Sequence, residues 1–280
     1  KPWEGGVKEY QRDIYAFQQN DEGNLVVQEA SRQSLKQAVA YGASASTPDG
    51  IVCAGGETSE GVIKKVFLMQ WNAGRKMITT RDLPDLPVPL VNAVMTNIAH
   101  TVYIMGGSDG SAVSSAAFSL DLSSTNAQWT ALPDMPFAMT HAAAAAQSNG
   151  EYPCIYVMGG RKGNQPGATT LYDHLLRYDP KLKEWKTLNA IGAPPVPISA
   201  GTAVSSGSNY ILLISGDDGK IFKELEGYGA RIAAATPAEK DSLIKERTAI
   251  LTTHPGFSKA VFVYNTITDV WTRISDLPFD

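Results

Sequence analysis

The fold is decided by residues 100–110, HTVYIMGGSDG, where a β-rich apolar run leads into two adjacent glycines and then into polar residues. The arrangement recurs at residues 50–58 (GIVCAGGET) and 154–163 (CIYVMGGRKG), with a degenerate copy, YILLISGDDG, at 210–219. The first residues of these four pairs lie 51, 53 and 56 positions apart. Such a period predicts an array of similar structural units.

Each unit is predicted to contain four strands. Strand a is a run of small residues such as THAAAAAQ (140–147), strand b ends in the glycines, strand c carries Phe, Tyr or Leu, and strand d carries a tryptophan. Four strands in about 50 residues are typical of a kelch-type β-propeller. We therefore predict an all-β fold, with the tryptophans of strand d at Trp71, Trp129, Trp185 and Trp271.

The predicted blades span residues 37–86, 88–136, 140–192 and 197–280, preceded by a partial blade over 1–33. The partial blade is predicted to hold a strand c (13–17) and a strand d (24–30) only. Unpaired strand edges are a liability that closed propellers avoid. The sequence thus predicts one domain with six native blades, and roughly 60 to 80 further residues, from one to one and a half repeats.

The last predicted blade carries an insertion of roughly 30 residues between strands b and c, estimated by comparison with the preceding repeat. We predict a short α-helix near 232–252, because Thr236, Pro237 and Glu239 match a capping box with proline in the first turn. Such an insertion is either a functional rim or lid, or a bystander.

Composition excludes several classes of function. A net charge of −4 and a pI of about 5.6 argue against nucleic acid or an anionic membrane as partner. The longest uncharged stretches are too short and polar to span a bilayer. The glycine pairs lack the pattern of a dinucleotide or phosphate loop, so we interpret them as structural. Cys53 and Cys154 show no metal spacing and are predicted to be buried.

A more specific resemblance is carried by KPWEGGVKEYQRDIYAF (1–17), by AYGASASTPDGIVCAGGETSEGVIKKVFL (40–68) and by the insertion. These pieces resemble the bacterial N-acetylneuraminate epimerases, or sialic acid mutarotases, in their cyclically permuted branch. The resemblance implies a six-bladed, metal-free and cofactor-free isomerase exported to the periplasm, which interconverts the α and β anomers of N-acetylneuraminate. It implies a sugar-acid substrate and leaves a protein partner open.

The family's proposed acid/base glutamate lies in a Gly-Glu…Pro-Gly-x-Arg-Thr element. Gly56-Glu57 is similar, but Ile63 stands where the arginine would be, so the catalytic residues stay unknown and Glu57 is a weak candidate. In the permuted order, the element is expected after Asp280.

Kelch loops after strand b and before strand a converge on one face, so the candidate substrate-binding residues are those after the glycines and at the start of strand a. Each has a structural alternative: a solvated carboxylate, a surface ion pair, a hydrogen-bonded histidine, a turn or simple rim packing. The candidates are Glu57, Asp109, Arg161, Asp217, His141 and, from the insertion, Arg231.

Two other classes of protein use this fold. A non-catalytic propeller would bind a glycan or a protein through the same loops. A copper radical oxidase would need a His, Tyr and Cys cluster, and His100, His141, His174 and His254 show no such arrangement.

Overall fold

The computed structural model describes residues 9–27, 33–163, 169–192 and 197–278. They form two compact units. The N-terminal unit comprises residues 9–111 and 117–132, and the C-terminal unit comprises residues 112–116 and 133–278. Each unit is built around two four-stranded antiparallel sheets.

The N-terminal unit begins with two short ladders. Strand β1 (Asp13–Ile14) pairs with β4 (Gln33–Ser34), and β2 (Phe17–Gln19) pairs with β3 (Leu25–Val27). The predicted strand over 13–17 is therefore wrong, because its two ends pair with different partners. The predicted strand over 24–30 is described only to residue 27, where it is β3; residues 28–32 lie outside the described part of the chain.

The sheets of the N-terminal unit are simple meanders joined in the order a-b-c-d, and a small ladder, β7–β8, follows the first glycine pair. Their strands are β5 (Ala43–Thr47), β6 (Gly50–Ala54), β7 (Glu57–Thr58), β8 (Gly61–Val62), β9 (Val66–Asn72), β10 (Met77–Leu83), β11 (Val94–Ile98), β12 (Thr101–Met105), β13 (Ala117–Asp121) and β14 (Thr130–Leu132).

The C-terminal unit repeats this plan, with the ladder β17–β18 after its first glycine pair. Two helices are inserted in the chain between strands b and c of its second sheet. Its elements are β15 (Ala143–Ser148), β16 (Pro153–Met158), β17 (Arg161–Lys162), β18 (Thr170–Leu171), β19 (Leu175–Asp179), β20 (Glu184–Leu188), β21 (Thr202–Ser206), β22 (Tyr210–Ile214), α1 (Lys220–Ala234), α2 (Pro237–Thr252), β23 (Ala260–Asn265) and β24 (Val270–Asp276).

Repeated four-stranded meanders with a helical insertion confirm the predicted all-β class. The six-blade count and the blade limits remain predictions.

The glycine pairs dock each sheet onto the next one in its unit. Gly55 and Gly159 adopt φ of 65° and 66°, and a Cβ there would lie 2.3 Å and 1.9 Å from the carbonyl oxygens of Leu90 and Ile198. The following glycine donates its N–H to the same oxygen, at 2.7 Å from Gly56 and 2.8 Å from Gly160. The structural interpretation of the glycines is thereby confirmed, since a side chain would collide with backbone.

The core of the C-terminal unit lies between its two sheets. The Tyr264 ring lies 5.0 Å from the Trp271 ring in a tilted arrangement and 5.9 Å from the Tyr156 ring in an edge-on arrangement, and Trp271 is only 5% exposed. Three of the four repeat tryptophans lie in or directly before strand d, as predicted. Trp71 is the exception, because the chain stays in strand c (β9) through Asn72 before it turns.

The insertion holds a helix that the sequence prediction missed. Helix α2 begins at Pro237 with Thr236 as its cap and Glu239 in the predicted capping box. Helix α1 precedes it, so the predicted start near 232 is wrong. Gly227 and Gly229 are poor helix formers and conceal α1 in the sequence.

Candidate functional site

One backbone position recurs after every glycine pair. The residue there forms an antiparallel bridge with the residue three positions before strand a. These bridges pair Ala40 with Glu57, Val91 with Ser108, Thr140 with Arg161, and Ser199 with Asp217. We call this the bridge position; it is occupied by Glu57 and Ser108 in the N-terminal unit and by Arg161 and Asp217 in the C-terminal unit.

The residue that follows each bridged partner lies two positions before strand a and is left-handed in all four repeats. Tyr41, Asn92, His141 and Ala200 have φ between 54° and 58°. Within each unit their backbones are linked, since Asn92 N–H donates to the Tyr41 carbonyl and Ala200 N–H donates to the His141 carbonyl. The repeat itself therefore brings His141 next to the bridge position of its own sheet.

Arg161, His141 and Thr140 form a closed set of hydrogen bonds. The Arg161 guanidinium donates from Nη2 to His141 Nε2 over 3.3 Å. Because Nε2 accepts, the proton of the neutral ring lies on Nδ1, which is 3.0 Å from Thr140 Oγ1. The Thr140 hydroxyl in turn donates to the Arg161 carbonyl over 3.2 Å. The side chain of Arg161 is thus connected back to its own backbone.

Asp217 lies beside the same guanidinium. Its Oδ2 is 4.0 Å from Arg161 Nη1, and the two side chains are 19% and 21% exposed. Asp217 Oδ1 accepts the Gly219 N–H at 2.8 Å, so the carboxylate also holds the turn into α1. The turn interpretation of Asp217 is therefore correct, and it leaves Oδ2 directed at Arg161. A gap of 4.0 Å is longer than a hydrogen bond, so Nη1 can donate to a ligand.

Helix α1 covers the other side of the cluster. The Phe222 ring lies 4.3 Å from Arg161 Cζ, in cation–π geometry. One turn on, Glu226 Oε1 accepts the Thr169 hydroxyl at 2.6 Å. Thr169 directly precedes β18, the strand that pairs with β17, so α1 is attached to the ladder that carries Arg161.

Burial controls the charges of this cluster. Burial, followed by the nearby Arg161 charge, lowers the pKa of His141 to about 4, so the ring is neutral near pH 7. Burial also lowers the pKa of Arg161, opposed by Asp217 and Glu226, and the guanidinium remains charged. A neutral His141 is an acceptor for Arg161 and no source of a proton, which argues against acid catalysis by this ring.

A cavity of about 340 Å³ is lined in part by Asp217. Asp218, Lys220 and Ile221 line it from the start of α1, and the segment 254–258 closes it after α2. Asp217 therefore belongs both to the Arg161 cluster and to the lining of this cavity.

The remaining candidates lie elsewhere. In the N-terminal unit, Glu57 accepts the Tyr10 hydroxyl at 2.8 Å, and Asp109 accepts Ser111 N–H and Oγ at 2.8 Å in a local turn. Asp109 is one residue past the bridge position, which belongs to Ser108. Arg231 is exposed near the end of α1 and stacks 4.8 Å from the Tyr228 ring, so it packs along its own helix.

The sequence prediction missed Phe222, Glu226 and Thr169. The spacing of Phe222 and Glu226, four residues apart, signals one helical face, but it is readable only once α1 is recognised. Thr169 carries no motif and is found only through the pairing of β17 with β18.

Comparisons with known proteins identify the family. The family model described as "N-acetylneuraminate epimerase" matches residues 83–280. The chain belongs to the N-acetylneuraminate epimerase family. The match includes both sheets of the C-terminal unit and therefore the whole Arg161 cluster. Placement in the permuted branch remains a prediction.

Named relatives agree. Proteins named N-acetylneuraminate epimerase are 26% identical over 200 residues in Salmonella typhi, 27% over 203 residues in Haemophilus influenzae, and 32% over 129 residues in Shigella sonnei. These alignments cover 70%, 70% and 46% of this chain, and 48%, 49% and 33% of the relatives. The chain therefore spans about half the length of the Salmonella and Haemophilus proteins and 33% of the Shigella protein.

A solved structure, titled "Structure of YjhT", matches with a TM-score of 0.56 at 23% identity, over 70% of this chain and 54% of the other. At that identity it supports the propeller fold alone. In the described residues, neither helix is long and apolar enough to cross a membrane, and no three His, Cys, Asp or Glu side chains gather as metal ligands would.

Proposed function

We propose that the protein interconverts the α and β anomers of N-acetylneuraminate, with the C-terminal unit supplying a substrate-binding arginine and a carboxylate. The observation that carries the proposal is that the family match encloses the pair formed by Arg161 and Asp217. The family membership supports the substrate, and the pair supports the roles assigned below.

Arg161 is proposed to bind the sugar carboxylate. A carboxylate on the anomeric carbon calls for a planar guanidinium donor. Arg161 is held by His141 through Nη2 only, and Nη1 lies beyond hydrogen-bond distance of Asp217. Among the residues that the structure describes, no other group hydrogen-bonds the guanidinium, so its remaining N–H groups are available to a ligand carboxylate.

Asp217 is proposed to transfer the proton. Anomerisation removes the proton of the anomeric hydroxyl, breaks the bond from the anomeric carbon to the ring oxygen and protonates that oxygen, which yields the open-chain ketone. Closure on the other face reverses these steps, so no net proton is consumed. A carboxylate beside the group that binds the substrate acid is positioned for this exchange.

The test is proton NMR of α-N-acetylneuraminate freshly released from a sialoside, with and without the intact protein. We expect the α signal to decay to the β anomer faster with the protein. Equal decay rates would contradict the proposal. If the decay rates were equal but the ligand signals received saturation from the protein in a saturation-transfer experiment, the non-catalytic glycan-binding alternative would be favoured. Export to the periplasm, which the resemblance implies, is part of the proposal and is tested by cell fractionation.

A further inference from the structure

His141 occupies a position where the fold does not require its side chain. The equivalent residues Tyr41, Asn92 and Ala200 adopt the same left-handed backbone, and in the same unit Ala200 does so with only a methyl group. Left-handed backbone is uncommon in residues other than glycine, although histidine adopts it more often than most. Because tyrosine, asparagine and alanine also adopt it at the equivalent positions, this conformation does not by itself require an imidazole.

The contacts of the ring explain it instead. One ring nitrogen accepts from Arg161 and the other donates to Thr140, whose hydroxyl reaches the Arg161 carbonyl. Arg161 therefore donates to His141, His141 donates to Thr140, and Thr140 donates back to the Arg161 carbonyl, so each side chain has a defined donor or acceptor role. We propose that His141 and Thr140 are positioning residues that fix the Arg161 guanidinium for the sugar carboxylate; this rests on the proposed function.

Arg161 needs such support because its other neighbours among the described residues do not fix its rotation. Phe222 packs on the face of the guanidinium, which permits sliding within the plane. Asp217 is 4.0 Å away, outside hydrogen-bond range. The bond to His141 is the one that sets which N–H groups remain for a ligand. An error of about 1 Å in such a contact lowers catalysis by about a hundredfold.

The kinetic test compares His141→Phe, which keeps an aromatic ring but removes both ring nitrogens, with His141→Gln, whose amide can both accept from Arg161 and donate to Thr140. We expect His141→Phe to raise KM and lower kcat/KM about tenfold, since it removes a hydrogen bond to a charged group. His141→Gln should return to within about threefold of the native value, and Thr140→Val should lose about threefold. A purely structural role would lower the amount of active protein and leave KM unchanged. Equal values for His141→Phe and His141→Gln would overturn the inference.

A second measurement does not depend on activity. The chain has four histidines, so ¹⁵N-histidine labelling gives few signals, and His141→Gln identifies the one from His141. We expect Nδ1 protonated and Nε2 unprotonated near pH 7, with Arg161→Ala shifting the Nε2 signal. An Nε2-protonated ring would overturn the positioning role even in an active protein. The expected tautomer in a protein without mutarotase activity would leave the hydrogen-bond set standing and refute only the proposed function.

Discussion

The bridge position has the same backbone in both units and different chemistry in each. In the N-terminal unit Glu57 accepts the Tyr10 hydroxyl, and Ser108 accepts the Gly110 N–H at 3.1 Å in a local turn. In the C-terminal unit Arg161 and Asp217 face each other under α1. The repeat thus determines where a side chain lies, whereas the type of residue at that position determines whether a site can form.

The largest expected effect is on substrate binding. Arg161→Lys should lower kcat/KM for mutarotation about a hundredfold or more, since an ammonium lacks the guanidinium fork and cannot keep the bond to His141. Glu57→Gln, at the equivalent position, should lose less than tenfold. Arg273→Lys, an exposed arginine paired with Asp276, is the matched control and should retain native activity. Equal losses in the first two variants would contradict the assignment of carboxylate binding to Arg161.

Asp217 and Ser108 offer a second contrast. Asp217→Asn should lower kcat about a hundredfold with little change in KM, since the amide keeps the shape and loses the proton acceptor. Ser108→Ala should be neutral. Steady-state rates from the NMR assay separate the two. If Asp217→Asn raised KM and left kcat intact, its role would be binding and not proton transfer.

The first glycine of a pair has the same backbone contact in both units, so substitutions there test whether the repeats are equivalent. Gly55→Ala and Gly159→Ala should each destabilise the protein by about 3 kcal/mol, because the new Cβ meets a backbone carbonyl at positive φ. Gly227→Ala is the control: it lies inside α1 with open space around it and should stabilise by about 0.5 kcal/mol. Urea unfolding measures all three. If only one of Gly55→Ala and Gly159→Ala lowered the free energy of unfolding, the two repeats would not be equivalent.

The smallest expected effect concerns pH. The pKa of His141 falls from about 6.5 in the unfolded chain to about 4 in the folded one, beside Arg161 and with Asp217 and Glu226 beyond that guanidinium. Between these values the unfolded chain binds a proton that the folded site excludes, so stability falls as pH drops from about 6.5 to 4. After discounting for solvent screening, the loss is about 2 kcal/mol.

His141→Gln should remove this part of the pH dependence, because the other titrating groups are common to both proteins. Urea midpoints at pH 7 and pH 4.5 give the difference, and parallel profiles for both proteins would contradict the lowered pKa.

Much of the fold could be predicted from the sequence because its rules are local. Gly55, Gly159 and the strands before them recur at a period that chance does not produce, and the capping box of α2 is readable from Thr236 and Glu239. Trp71 was assigned to the wrong strand because the length of strand c depends on cross-strand pairing, which has no sequence marker. Helix α1 was missed because tertiary contacts override the weak propensity of its glycines.

The site could be predicted only in part. Placing Arg161, His141 and Asp217 on one face follows from counting along the repeat. Their mutual contacts depend on side-chain directions and on α1, so Phe222 and Glu226 stayed hidden. The neutral state of His141 is set by burial, which a linear sequence does not display.

The tryptophans give each large sheet its own optical reporter. Trp129 and Trp185 each donate the indole N–H over 2.8 Å to a proline carbonyl, of Pro84 and Pro133 respectively. Trp271 is buried, and Trp71 is 45% exposed. Fluorescence from Trp71 should be red-shifted and readily quenched by acrylamide, whereas that from Trp271 should be blue-shifted and protected. The emission wavelength of single-tryptophan variants would therefore show whether the four sheets unfold together or one at a time.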